Sequence, residues 1–237
     1  MLRVGLTGGL GSGKTTVAQM LRQLGAEVIE SDELGRALME PGHAAFDEIV
    51  RVFGSEVVGA DGRLNRPRLA DLAFKANRVK ELNAIVHPAV IEAQAEWMRQ
   101  VFARDPAAVA VVVSALIFEV ERDARTERDA GDGSAAIAAY ADLRSRIDRI
   151  VLVTASEEDK ISRYVGRVCT CGMGMEKAEA DARARLAHQI PDGEKVNRSD
   201  YVIENIGALE SLRAQVEQLW PRLKQESNLN LSGESLK

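Results

Sequence analysis

Short apolar runs alternate along this chain with longer stretches in which apolar residues recur at helical spacing. Leu2 to Thr7 reads as a strand, and from Lys14 to Leu24 the apolar residues fall at 17, 18, 20, 21 and 24, one face of a helix that Gly25 stops. Glu27 to Glu30 is a second short strand, after which Ser31 or Asp32 can cap a helix over about Glu33 to Met39. Val109 to Val113 is a continuous β-branched and alanine run, and Ile150 to Val153 a continuous apolar one, the pattern of strands buried on both faces, and Tyr201 to Ile203 is a last strand. Helical patterns cover Ala135 to Arg146, Ser156 to about Val168, Met175 to Gln189 and Leu209 to Leu223, and the polar tail from Gln225 reads as flexible.

Five strands alternating with helices predict an α/β fold built on a parallel five-stranded sheet. From Pro41 to about Arg104 the pattern stays helical, with a turn at Gly59-Ala60-Asp61-Gly62 and a break expected at His87-Pro88. That stretch is far longer than a crossover between parallel strands requires, so it reads as an inserted helical subdomain.

Composition narrows the class. With 46% hydrophobic and 28% charged residues in 237, the chain is of ordinary soluble globular type. A net charge of -5 and a pI near 5.4 give no basic field for nucleic acid or an anionic membrane, so neither is expected as a partner. No apolar run reaches the roughly 18 residues of a membrane span, and no signal-peptide pattern opens the chain. The cysteines, Cys169 and Cys171, stand too close for a structural disulfide and supply only two of the four ligands of a zinc site, with His188 on a predicted helix. A reducing, cytoplasmic setting is expected.

The chemistry centres on Gly8-Gly9-Leu10-Gly11-Ser12-Gly13-Lys14-Thr15, a GxxxxGK[ST] phosphate loop that follows a strand and opens a helix, as the motif requires. Glycines let backbone amides converge on phosphates, and the helix N-terminus adds its dipole. Lys14 is expected on the β and γ phosphates and Thr15 on magnesium. Parallel strands end at one edge, so the loop, Asp32 after the second strand and Glu119 after the third face one crevice. Asp32 is the candidate general base, with helix capping as its alternative role, and Glu30 is the weaker candidate. Ser114 stands where a Walker B aspartate would, which leaves magnesium to Thr15, phosphates and water, with Asp32 or Glu119 reaching it through water. Arg163 with Arg167, and Arg185 with Gln189, lie four apart on two helices around Gly172-Met173-Gly174, the pattern of a lid or of a solvated charged face. His87 can contact substrate or brake a helix; Trp97 and Phe102 read as core.

A GTP-binding switch fails on context: Asp32-Glu33-Leu34-Gly35 comes too soon after the loop, and Asn197-Arg198-Ser199-Asp200 precedes a strand instead of following one. A kinase for another small metabolite, such as a nucleoside monophosphate, remains an alternative. The runs from Gly5 to Thr16, Val28-Ile29-Glu30-Ser31-Asp32, Asp61-Gly62-Arg63-Leu64-Asn65-Arg66, Leu82-Asn83-Ala84-Ile85-Val86-His87-Pro88 and Ile117-Phe118-Glu119, with Gln189, closely resemble the dephospho-coenzyme A kinase family. The resemblance implies a three-layer P-loop kinase fold with a helical insertion and a lid, and transfer of the ATP γ-phosphate to the ribose 3′-hydroxyl of dephospho-CoA. It implies ATP and Mg²⁺ on Gly9, Gly11, Ser12, Gly13, Lys14, Thr15 and Thr16, with Thr15 on the metal. Asp32, Lys14, Arg163 and Arg185 take catalytic positions under it, and Asp32, Asn65, Arg66, His87 and Glu119 bind the acceptor. The implied divisions are a core of 1–39, 105–160 and 191–224, an acceptor domain of 40–104, a lid of 161–190 and a tail of 225–237, in a monomer or weak homo-oligomer. The chain departs from the family at Glu30, at Ala115-Leu116-Ile117, at Lys160 and in about twenty extra residues between Glu119 and Arg149.

Overall fold

A computed structural model describes residues 1–75, 78–129, 142–170 and 172–232. Its centre is a parallel sheet in the order β2-β3-β1-β4-β5, with β1 Leu2–Thr7, β2 Glu27–Glu30, β3 Val109–Val113, β4 Arg149–Thr154 and β5 Tyr201–Glu204. Alternation along β3 shows why these strands read as unbroken apolar runs. Val109, Val111 and Val113 pack on one face, with Val4 and Leu6 of β1, under α1 (Lys14–Gln23), while Ala110 and Val112 pack on the other beneath Met98 and Val101. Each fully buried valine or leucine contributes about 1.5–3 kcal/mol. Helices cover both faces, which makes three layers.

After β2 come α2 (Ser31–Leu38), α3 (Ala44–Phe53), a 3₁₀ turn at Ser55–Val57, α4 (Arg66–Lys75) and α5 (Val79–Arg104). This insertion carries its own core of Ile49, Phe53, Val57, Leu64, Leu69 and Ala73. The turn expected at 59–62 forms, closed by Gly62 N–H to Gly59 O and a Val58–Leu64 bridge. The break expected at His87-Pro88 does not: α5 runs through Pro88. Both halves of the helix are packed, Val86 and Val90 against Gly35 of α2 and Met98 and Val101 on the sheet, which offsets the hydrogen bond lost at Pro88.

Beyond β3 lie α6 (Ile117–Asp129), α7 (Leu143–Arg146), α8 (Glu157–Cys169), α9 (Met175–His188), α10 (Asp192–Val196) and α11 (Leu209–Ser232). Ser156 caps α8 as expected, accepting the Asp159 N–H at 3.1 Å. Of the helix expected over 135–146, only 142–146 falls among the described residues, where Asp142 caps a helix from Leu143. The tail expected to be flexible from Gln225 is instead helical to Ser232. Its polar groups have partners: buried Ser227 donates to the carbonyls of Ala107 and Ala108, and the Met1 amino group donates to Ser227 O at 3.0 Å. No described helix is long and apolar enough to cross a membrane.

Candidate active site

The loop between β1 and α1 has the shape only glycine permits. Gly11 and Gly13 take φ of 71° and 95°, and a Cβ on either would meet Lys160 O or Asn205 Nδ2 at 2.1 Å. The N–H groups of Gly11, Gly13, Lys14 and Thr15 donate to no backbone carbonyl among the described residues, so they form an anion cradle at the start of α1. The rim is fixed by side chains: Asn205 Nδ2 donates to Ser12 O at 2.8 Å, and Gln189 Oε1 accepts the Leu10 N–H at 3.1 Å. Leu10 itself packs on the cluster of Ile161, Tyr164 and Ala182 that joins α8 to α9.

At the mouth of this cradle, half-buried Lys14 has its pKa lowered by desolvation, against which Asp32 and Glu30 pull upward while Arg167 and Lys195 push further down. Glu30 is raised by burial and by the neighbouring carboxylates of Glu33 and Asp32. The two carboxylates therefore share Lys14's field. Helix α2 starts at Ser31 without a side-chain cap, so the capping alternative for Asp32 is not realised. Asp32 is exposed, and no hydrogen bond holds its side chain among the described residues.

Asp32 also lines the adjoining cavity of about 380 Å³ between α2, α5, α6 and the end of β3. Arg66 and His87 line it too, as expected. Arg66 is held by Glu40 Oε1 and Arg36 O, each at 3.3 Å, and burial lowers the His87 pKa so that its ring is neutral at pH 7. Arg36, Gln94 and Arg146 line it as well and lie outside the expected set. Arg36 was findable, since it lies four residues after Asp32 on one helix face. Gln94 is buried and donates to Ser31 Oγ at 2.9 Å, a contact across 63 residues that no local pattern signals.

Two expected acceptor residues stand elsewhere. Asn65 caps α4, accepting the Arg68 N–H at 3.1 Å, and lies outside the cavity. Glu119 is turned into the interior, 5% exposed, where Oε1 accepts the Ile190 N–H and meets the fully buried Lys195 Nζ, both at 2.9 Å. The same segment binds Lys160 through Asp192. Ile190 and Asp192 thereby fix the exit of α9, and Gln189 with it, against the phosphate loop.

The expected lid arginines divide. Arg163 grips the loop itself, donating to Asn205 O at 3.1 Å and Gly11 O at 3.4 Å. Arg185 donates to Asp181 Oδ2 at 2.8 Å and stands over the Tyr164 ring. Arg167 lies over the same ring, and from these helices it is Arg167 whose charge acts on Lys14. Sequence spacing pairs it with Arg163; only the fold separates their tasks. Cys169 is a free thiol, and Cys171 lies outside the described residues.

Known proteins share this fold and much of this sequence. The family model described as Dephospho-CoA kinase matches residues 2–128 and 139–211, and its gap falls within the extra residues noted above. The Dephospho-CoA kinase of Corynebacterium efficiens is 36% identical over 220 residues, 92% of this chain and 96% of that protein. That of Chromobacterium violaceum is 40% identical over 219 residues, 90% of each. Among solved structures, TT1252 from Thermus thermophilus superposes with a TM-score of 0.68 at 30% identity, covering 94% of this chain and 97% of that one. Dephospho-CoA kinase from Campylobacter jejuni, 17% identical with a TM-score of 0.62 over 94% of this chain and 97% of that one, shares the fold. With cradle, cavity and arginine-bearing helices arranged on a chain that the family model matches over most of its length, the chain belongs to the dephospho-CoA kinase family.

Proposed function

We propose that this chain transfers the γ-phosphoryl group of ATP to the ribose 3′-hydroxyl of dephospho-CoA, giving CoA and ADP. The observation that carries the reading is the position of Asp32, which lines the acceptor cavity and acts on Lys14 of the phosphate cradle at once. The hydroxyl oxygen, seated beside Asp32, forms a bond to the γ-phosphorus as the bond to the bridging oxygen of ADP breaks, and its proton passes to an Asp32 carboxylate oxygen. Lys14 and the four amides neutralise charge on the phosphates, and Arg167 adds its field from the lid side. Arg36, Arg66 and Arg146 suit the 5′-diphosphate of the acceptor, and Gln94 and His87 offer polar contacts.

Hard oxygen donors at the right place fit Mg²⁺: the exposed Thr15 hydroxyl on the first turn of α1, with the Asp32 and Glu30 carboxylates nearby. Among the described residues no group of three or more His, Cys, Asp or Glu forms a metal cage, so Thr15 and one carboxylate would hold the ion together with phosphate oxygens and water. Bound there, it would supply charge neutralisation for the phosphates.

We divide the chain as core (1–39, 105–160, 191–224), acceptor domain (40–104) and lid (161–190); the insertion's separate core and the α8–α9 cluster support this. Glu119 and Asn65 act in it as positioning residues, through Ile190 and α4. We place the reaction in the cytoplasm, in a monomer or weak homo-oligomer, in keeping with the reduced cysteine pattern. The test is Asp32→Asn. ATP affinity should hold while kcat falls about 100-fold or more, the scale of losing a general base. Near-normal turnover would remove Asp32 from the chemistry, and no dephospho-CoA-dependent ATP turnover by the native chain, beside nucleoside monophosphates and shikimate, would sink the acceptor.

A further inference from the structure

A second cavity, of about 290 Å³, opens between α5 and α6 and shares His87 and Val120 with the acceptor cavity. Its α5 wall is one helix face: Lys80, Asn83, Ala84, His87 and Pro88 fall at i, i+3, i+4, i+7 and i+8. Among the described residues no hydrogen bond holds the side chains of Lys80, Asn83 or His87, although all three face this space. Polar groups left without protein partners at a cavity wall are groups placed for a ligand or for water.

The charge balance says what kind of ligand. Arg122 is already paired to Asp123, Nη2 to Oδ1 at 2.8 Å, which leaves Lys80 as the cation on this wall with no ion-pair partner among the described residues. One exposed lysine is a poor phosphate site. An amide carbonyl and N–H, by contrast, are matched by the Asn83 carboxamide and the neutral His87 ring, each able to donate and accept. The Ala84, Pro88 and Ala124 surfaces suit methylenes.

We infer that this second cavity is the subsite for the uncharged, amide-bearing arm of the acceptor, which passes His87 on its way out of the first cavity. The inference rests on the acceptor proposed above. That acceptor is a nucleotide with its reacting hydroxyl at Asp32 and a long diamide chain beyond its 5′-diphosphate, so the chain needs a channel continuous with the first cavity but not lined for phosphate.

Ala84 is exposed on the rim, so Ala84→Trp fills the space without entering the core. The expected result is a rise of tenfold or more in KM for dephospho-CoA with kcat and KM for ATP within about twofold of native, because the reacting end is seated by other residues. Asn83→Leu, of nearly equal shape, should raise the same KM several-fold and keeps the test alive if the tryptophan variant fails to fold. Unchanged KM for dephospho-CoA in both variants would overturn the subsite while leaving the reaction intact. A larger, salt-sensitive KM effect from Lys80→Ala than from Asn83→Leu would also overturn it, since that is the mark of an anion site. A native chain inactive on dephospho-CoA would instead strike the reaction itself.

Discussion

Lys195→Met is the perturbation that reaches furthest into this molecule. Lys195 is fully buried, and its ammonium stands 2.9 Å from Glu119 Oε1, which also accepts the Ile190 N–H. At that distance, with an effective dielectric of about 20, the attraction is about 6 kcal/mol. Methionine fills much of the same volume, so the packing loss is small, but Glu119 is left as a buried charge with one amide for company. The net cost of breaking such a pair is about 3–5 kcal/mol. At a urea slope of about 3 kcal/mol/M this moves the unfolding midpoint down by about 1–1.7 M, read by far-UV circular dichroism. The double variant Lys195→Met with Glu119→Met removes both charges and should recover most of the loss, because an apolar pair of similar size replaces a buried ion pair at little cost. A single variant within about 1 kcal/mol of native, or a double variant no better than the single, would refute the claim that this pair anchors the α9 exit.

Gln189→Leu removes the acceptor of the Leu10 N–H and should raise KM for ATP about fivefold, on the scale of one hydrogen bond, with faster hydrogen exchange at that amide. Gln189→Glu should restore the amide's protection but not the KM, since it sets a negative charge beside the phosphates; exchange measured by NMR separates the two. Tyr201 donates to Glu226, and burial first, then that carboxylate, pushes the phenol up to about 12. The folded chain then keeps a proton that the unfolded chain releases near pH 10, so stability falls as pH rises from about 10 toward 12. Tyr201→Phe should flatten that slope in urea titrations at pH 9 to 11, and an unaltered slope would assign it to other groups.

The parts of this structure written in short stretches of sequence were legible there. The phosphate loop, the five strands and the helical insertion each carry a local signature: glycine spacing, unbroken apolar runs, length. What failed depended on distant partners. Pro88 disfavours a helix in isolation, and here α5 continues through it, packed on Gly35 and the sheet. The tail from Gln225 is polar enough to read as coil, yet Ser227 finds carbonyls 119 and 120 residues away. Glu119 sits at the expected edge, but only the α9 exit, with Ile190 and Lys195, decides that its carboxylate points inward. Arginines four apart look alike on a helical wheel, whereas Arg163 and Arg167 address different things once Asn205 and Tyr164 are in place.

The sheet order has a consequence for how the chain is made. Strand β1, which carries the phosphate loop, lies between β3 and β4, pairing Leu2 with Val109 and Val4 with Arg149. Strand β1 is translated before both of these neighbours and thus waits for them. At about 5–20 residues per second, β3 follows β1 by roughly 5–20 s, and β4 comes later still. Throughout that interval an apolar strand and a glycine-rich loop leave the ribosome with nothing to pair against, so nucleotide cannot assist folding until β4 has been made. The inserted helices, whose contacts are mostly local, are free to form meanwhile.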